Sequence, residues 1–481
     1  VRTSVAVLGG GIAGLTTAYL LAKAGRAVTV IEAGRIAAAV SGYTTAKITV
    51  QHNLVYADLA SRHGADAAQM YAESQSAALR WIVDTVRNEG IDCELEEMPA
   101  LVYTEVDDDV DSVREEVKAA NAAGLSAEFV TGSELPWGIR GGIRVPAQAQ
   151  FHPRRYLVAL ADRLVAAGGT IHEQTRALDV SASESGVKVE TDAGTIDCDD
   201  VVVATHYPFL DRGLLFARLA PYRDVVVAAA VDADAAPDVM AISTGSEEGG
   251  THSVRSAPYR DGKRLVIVTG GQYKTGTTAE VSERYNELTG WTQERFKGAE
   301  IVSQWSTQDT SSADRLPYIG LLPHSGEHVW VATGFSAWGM TNGTLAGLML
   351  ADLVQGRRNR YADLYDPARV TVRASASKFA KENVDVAREL VGGMFRPDLS
   401  GVEELAPGEA GVFYTRHGRT AAYRDEQGAL HQVSARCTHL GCTVRWNDAE
   451  RSWDCPCHGS RFDISGAVLH GPAVHALKAA D

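Results

Sequence analysis

The feature that most constrains this chain lies at its start. Val5 to Leu8 is a short apolar run that breaks into Gly9-Gly10-Gly11-Ile12-Ala13-Gly14, followed by a helical stretch from Leu15 to Ala24. A second apolar run, Ala27 to Ile31, ends in Glu32. Strand, glycine turn, helix, strand and acid in that order predict one βαβ unit, and hence a Rossmann-like lobe. Gly9 serves the tight turn, Gly11 lets backbone approach a pyrophosphate, and Gly14 lets the helix pack close to the strand. Ile12 and Ala13 lie in the turn before the helix N-terminus, whose free N–H groups suit a phosphate, while Glu32, with Ala33 beside it, can accept from a ribose. A glycine cluster alone is common and also fits a structural turn. The flanking strands and the acid favour a nucleotide site.

Length and charge bound the rest. At roughly 100–200 residues per domain, 481 residues suggest about three domains. A composition of 45% hydrophobic and 22% charged residues fits an ordinary globular chain. With 46 basic against 61 acidic side chains, the net charge of −15 repels phosphate backbones and anionic lipid, so nucleic acid is not an expected partner. No run of about 18 uncharged apolar residues occurs, and Val1 to Leu8 is too short for a signal peptide. The expectation is a cytoplasmic protein without a membrane association.

The identity of the nucleotide is read further along. Ser41, Thr44, Thr45 and Lys47 offer small hydroxyls and one cation where an extended FAD would run. Val329 to Gly334 reads as a strand and turn, and Phe335 to Thr341 leads into a helix reaching about Val354. A plain αβ packing unit is the alternative there. A helix N-terminus at Gly339, Met340 and Thr341, preceded by Trp338, would aim N–H groups at a flavin ring that turns anionic on reduction.

These segments resemble the FAD-dependent oxidoreductases related to D-amino acid oxidase, glycine oxidase and sarcosine oxidase, over about residues 1–365. Phe151-His152-Pro153-Arg154, Thr175 to Val180 with Ala177, Val201 to Thr205 and Asp314 to Gly320 also fit. The resemblance implies an FAD lobe interleaved in sequence with a substrate lobe built on an antiparallel sheet. It also implies a small amine, imino acid or N-methylated amino acid as substrate. Thr205 departs from the family, where glycine is usual, and no substrate-clamping arginine or tyrosine of one member is matched.

Four of the six cysteines crowd the other end. Cys437-Thr-His439-Leu-Gly-Cys442 and Cys455-Pro-Cys457-His458-Gly-Ser460 place two thiolates and two imidazoles on two loops. A structural zinc accepts such a set but leaves Cys442 and Cys457 unexplained. The double motif resembles Rieske [2Fe–2S] domains, those of respiratory cytochrome bc complexes more than those of ferredoxins and oxygenases. That resemblance implies that Cys437 and Cys455 bind one iron and His439 and His458 the other. It further implies a Cys442–Cys457 disulfide and a proline loop at Gly471-Pro472-Ala473 over the cluster. Ser460 is present to donate to cluster sulfur, whereas Phe462 stands where high-potential members carry tyrosine. A potential below the top of the Rieske range is expected.

The fold expected is therefore α/β plus all-β: an interleaved flavoprotein over 1–365, a helical linker over 366–398, and a small Rieske β-domain over 399–481. Within the linker, Ala374 to Val391 has helical apolar spacing and Gly392-Gly393 can stop it. Asp66 to Asn88 predicts another helix with Met70, Ala77, Leu79 and Trp81 in the core. Cys93 and Cys198 read as buried free thiols.

Flavin takes two electrons at once and a [2Fe–2S] cluster carries one, so the fusion points to a dehydrogenase that passes electrons through the cluster to an external one-electron acceptor. An oxygenase needs a further mononuclear iron domain, yet only residues 459–481 follow His458. A second glycine motif for NAD is not found. The alternative is an electron-relay or redox-sensing protein without its own substrate, and the reverse direction of flow is equally open to the sequence. Lys47, His52, Lys274, Gln308, Asp309 and Trp338 lie in segments expected to approach the flavin, each with a structural role as the plainer alternative. No catalytic residue is assigned.

Overall fold

The computed structural model describes residues 1–481 apart from 185, 246–249, 278–279, 370–399, 417 and 481. The helix expected over Ala374 to Val391 therefore lies outside the described residues, as does the linker of 366–398 apart from residues 366–369.

The glycine-turn strand, Arg2–Leu8, sits in the middle of the first sheet. Val28–Ile31 pairs parallel on one side of it and Gly194–Val203 on the other, with Val329–Thr333 and Thr170–His172 further out, also parallel. Val5 to Leu8 and Val201 to Val203 are fully buried, which suits a central strand covered on both faces. The first helix is Ile12–Lys23, longer at its start than the sequence suggested because Gly11 already acts as its N-cap. It packs against Gly339–Leu353 and Pro153–Ala166. The approach to Gly339–Leu353 is close: a Cβ on Gly347 would lie 2.5 Å from Thr16 Cβ.

The second sheet runs Glu300–Ser312, Leu219–Asp232, Lys263–Lys274, Ser253–Pro258, Met240–Ser243, Glu96–Thr104, Gly141–Gln150, Lys47–Ile48. Its pairs are antiparallel except for Met240–Ser243 beside Glu96–Thr104. Strands of this sheet alternate in sequence with those of the first, so the two lobes interleave. A register shift between Arg223 and Val225 marks a bulge opposite Gly271 and Gln272. Bulges re-aim side chains, and here Asp224 and Gln272 both reach the central cavity.

The C-terminal domain is a three-stranded sheet, Ala410–Thr415, Gly418–Arg424, Leu430–Ser434, and a four-stranded one, Arg445–Asn447, Ser452–Asp454, Arg461–Phe462, Val468–His470. Trp453, Phe462, Val444 and the four clustered cysteines form its core.

Helix Ala65–Asn88 forms as expected: Leu79 is in the core, Met70 and Trp81 pack against it half-buried, and Ala77 is half-buried. Tyr71, Ala72, Gln75, Ala78 and Ile82 join Leu79 on the inner face, because the helix carries small and polar residues where it meets Gly339–Leu353. Cys93 and Cys198 are buried free thiols as expected, and burial pushes their pKa values up to about 11 and about 12. No helix among the described residues is long and apolar enough to cross a membrane.

Candidate functional site

The glycine turn is built so that no side chain fits. A Cβ on Gly9 would fall 2.3 Å from the Ala204 carbonyl oxygen, and one on Gly14 would fall 2.0 Å from that of Gly9. Ile12 N–H donates to Ser41 Oγ at 3.1 Å, and Glu32 accepts from Gly10 N–H and Gly34 N–H, both at 2.7 Å. No acid occupies the first turn of Ile12–Lys23, leaving the helix N-terminus suited to an anion.

This turn opens into a cavity of about 880 Å³. Of the residues expected to hold FAD, Gly9, Gly11, Ile12, Ala13, Glu32, Ala33, Ser41, Thr44, Thr45, Lys47, Ala177, Trp338, Gly339 and Met340 line it. Gly14, Gly334 and Thr341 stand behind the wall. Gly14 packs on Gly9, Gly334 turns the chain at φ +78°, and Thr341 bonds toward His52 and Thr49. A cavity entered by a side-chain-free turn and a helix N-terminus at one end, and facing a second helix N-terminus at the other, fits a dinucleotide with a flavin.

Around the second helix, His52 stacks on Trp338 with centroids 4.6 Å apart. Burial holds its pKa down at about 3, so it is neutral: Nε2 donates to Thr49 O and Nδ1 accepts from the Tyr71 hydroxyl at 2.5 Å. Asp309 accepts from Ala337 N–H at 2.5 Å and so fastens the turn before Gly339–Leu353, where Ser336 and Ala337 adopt positive φ. Lys47 Nζ donates to Ala241 O and Ser253 Oγ. Burial, with nearby Arg255, lowers its pKa to about 7. Asp224 is half-buried against the cavity and accepts from Gln272 Nε2 at 3.3 Å; desolvation there, with Asp309 nearby, raises its pKa to about 7.

Lys274 and Gln308 turn instead toward the C-terminal domain. Gln308 Nε2 donates to Gly459 O at 3.0 Å, and the Lys274 charge acts on His458. Gln308 sits between Thr307 and Asp309, which line the cavity, so alternation sends it to the other face, whereas Lys274 ends its strand just before Gly276, where the chain meets Asp454 and Pro456 of the C-terminal domain.

In the C-terminal domain Cys437 and Cys455 are buried free thiols, while Cys442 and Cys457 form a disulfide. The Sγ atoms of Cys442, Cys455 and Cys457 lie within 4.8 Å of one another, but the two in the disulfide have no thiolate to give a metal. Hydrogen bonding between the two free thiols lowers the pKa of Cys437 to about 7 and raises that of Cys455. The rings of His439 and His458 are 4.9 Å apart. His439 Nδ1 and both ring nitrogens of His458 are buried without a hydrogen-bond partner. Orphaned imidazole nitrogens on the two loops that carry the paired thiols are costly in a bare protein and fit two-thiolate, two-imidazole metal binding.

The domain carrying these loops is docked on the flavin-type lobes through polar contacts that no motif signalled. Asp448 accepts from Val281 N–H at 2.8 Å and Ser282 N–H at 3.2 Å, capping helix Val281–Arg295 from outside. The buried Arg223 guanidinium pairs with Glu450, which also binds Arg461 at 2.7 Å; Arg461 in turn reaches Asp454 at 2.9 Å. Arg176 donates to Val468 O at 3.2 Å. As a result Val468 to Val474, including the proline loop, forms part of the wall of the large cavity.

An FAD-type oxidoreductase joined to a Rieske-type iron–sulfur module is the class this fold and these two sites define. Residues 4–353 match the family model described as FAD dependent oxidoreductase (DAO), and residues 397–481 match the Rieske [2Fe-2S] domain. The chain belongs to the FAD dependent oxidoreductase family and carries a C-terminal Rieske domain; the cofactors of these two families are FAD and a [2Fe–2S] cluster. It is 36% identical over 479 residues to YhfW of Bacillus subtilis (strain 168), described as a Rieske 2Fe-2S iron-sulfur protein, covering 99% of this chain and 93% of that one. The cytochrome b6-f complex iron-sulfur subunit of Chlorobaculum thiosulfatiphilum is 36% identical over 87 residues, 17% of this chain and 48% of that one. Among solved structures, glycine oxidase from Geobacillus kaustophilus superposes with a TM-score of 0.63 at 20% identity, covering 77% of this chain and 99% of that one. L-proline dehydrogenase from P. horikoshii gives 0.62 at 20% identity, covering 76% and 97%.

Proposed function

We propose that this oxidoreductase oxidises a small amine or amino-acid-like molecule, and that electrons pass from FAD to the Rieske cluster and on to an external one-electron acceptor. In this reading the chain divides into 1–365, a linker over 366–398 and 399–481. The observation that carries it is the shared wall: one cavity is bounded by the glycine turn, the open face of the large sheet and the proline loop of the Rieske domain. A substrate-oxidising site and a one-electron exit are thereby neighbours.

The flavin supplies two-electron acceptance and the cluster one-electron release. FAD would be held by Gly9, Gly11, Ile12, Ala13, Glu32 and Ser41 at one end and by Trp338, Gly339 and Met340 at the other. Cys437 and Cys455 would bind one iron, His439 and His458 the second. Asp224, poised near neutral pH, accepts the proton an ammonium substrate must lose before it is oxidised. Neutral His52 and Trp338 form a stacked floor that excludes water.

The test is anaerobic mixing of the holoprotein with a panel of amines and amino acids, following flavin absorbance and the cluster's paramagnetic signal together. Flavin bleaching followed by cluster reduction is expected. Bleaching with a cluster that never becomes reduced sinks the electron route. No bleaching by any amine leaves the relay without its own substrate as the better account.

A further inference from the structure

His439 makes one polar contact outside its own domain. Its Nε2 lies 2.9 Å from Oδ1 of Asp211, a residue of the flavin-type lobe. The imidazole is 5% exposed, and its other nitrogen, Nδ1, is buried without a hydrogen-bond partner. Asp211 is itself 39% exposed, but its flanks are anchored: Leu210 before it is buried, and Arg212 after it donates to Val180 O at 2.6 Å. The second imidazole, His458, is covered by the same lobe, with Tyr207 and Phe216 each at 6.0 Å between centroids.

We propose that the flavin-type lobe supplies Asp211 as a positioning residue for the Rieske cluster, fixing His439 by its Nε2–H so that Nδ1 faces iron, and lowering the cluster's reduction potential. The inference rests on His439 being a cluster ligand. A carboxylate on the far nitrogen of a metal-bound imidazole fixes its tautomer and orientation and makes it a more basic donor. A fixed negative charge at that point also disfavours the reduced cluster, which carries one more negative charge than the oxidised form. Docking of the two domains thus makes the cluster a stronger reductant toward its acceptor. Because both imidazoles face the flavin-type lobe, electrons enter by the histidine edge, and the external acceptor meets another side of the domain.

The experiment is a redox titration of the full-length holoprotein, monitored by the cluster's paramagnetic signal, for wild type and Asp211→Asn, Asp211→Ala and Asp211→Glu, with iron, sulfide and FAD content measured alongside. Asn and Ala should shift the oxidised-to-reduced ratio at a fixed solution potential about tenfold toward reduced, equivalent to about 59 mV upward for one electron. Glu should stay near wild type. Loss of the cluster from the Ala variant with its retention in the Glu variant equally supports positioning. An Asn variant with full cluster content and a ratio within about twofold of wild type overturns the proposal. The ligand reading is checked separately: His439→Ala that keeps a wild-type cluster signal refutes it, and the role of Asp211 falls with it.

Discussion

His206 of the flavin-type lobe and His470 of the Rieske domain meet ring to ring, with His206 Nδ1 3.1 Å from His470 Nε2. One nitrogen must donate and the other accept, so the pair holds only while at least one of the two rings is neutral. Burial keeps the His470 pKa well below the ordinary value, reinforced by His206, Arg461, Arg223 and Arg176. His206 Nε2 also lies 3.5 Å from Asp309 Oδ1, so the contact links the Rieske domain to the turn before helix Gly339–Leu353.

The sign of its pH dependence follows. A histidine whose pKa is depressed by folding binds fewer protons than in the unfolded chain. Its contribution to stability is complete above the unfolded value of about 6.5 and is lost as pH falls below it. His52, lowered to about 3, acts in the same direction. Melting temperature should therefore drop between pH 7.5 and 5.5, and His470→Gln should flatten that drop. An unchanged slope in the variant would exclude His470 as a contributor.

The Arg223–Glu450–Arg461–Asp454 network should be the most sensitive part of the interface. Arg223 is 2% exposed, so Glu450→Ala strands a buried cation. Removing one partner of a buried pair costs about 3–5 kcal/mol, whereas replacing both by apolar groups is often neutral. Chemical denaturation of the holoprotein should show Glu450→Ala strongly destabilised and Arg223→Met/Glu450→Ala recovering most of the loss. Equal losses in the single and double variants would mean that the pair is not the source.

The two ends of the chain were legible because each function is written locally. A turn without side chains and a fixed spacing of Cys and His are dictated by atoms within a few residues, so Gly9 to Gly14 and Cys437 to His458 announce themselves. The meeting of those ends is not local. Asp211, Arg223, Asp448 and His470 carry no motif, and only tertiary packing sets them opposite His439, Glu450, the Val281–Arg295 N-terminus and His206. Gln308 and Asp224 show the limit within a single strand. Period-2 alternation turns Gln308 away from the cavity and the bulge aims Asp224 into it, and neither could be set from one strand's sequence.

Ser460 and Phe462 set the potential from inside the Rieske domain. Ser460 is fully buried, accepts from Ala473 N–H at 3.0 Å and lies beside Cys437, so its hydroxyl proton is directed toward sulfur. Phe462 is equally buried but has no proton to give. Donors to sulfur favour the reduced cluster, so Ser460→Ala should lower the midpoint potential and Phe462→Tyr should raise it. Redox titration reads both. A wild-type value matching the most oxidising Rieske centres, near the upper end of about −150 to +300 mV, would contradict the role given to Phe462.

Asp224 couples activity to stability in opposite directions. Desolvation raises its pKa to about 7, so it is a base above that pH and an acid below it. If it takes the proton of an ammonium substrate, kcat/KM should rise through about pH 7, and Asp224→Asn should remove that limb with a loss on the order of 10²–10⁴-fold. Lys47 also titrates at about 7, so Lys47→Met is the necessary companion: it should keep the limb if Asp224 is its source. Stability moves the other way. A carboxyl whose pKa is raised on folding binds more protons folded than unfolded between about pH 4 and 7. The folded state therefore loses stability as pH rises through that window. Asp224→Asn should be more stable than wild type at pH 8, by on the order of 1–4 kcal/mol, and indistinguishable from it near pH 4. A slow but stabilised variant would mark Asp224 as a functional group that the fold holds at a cost; a slow and destabilised one would assign it to the framework of the sheet.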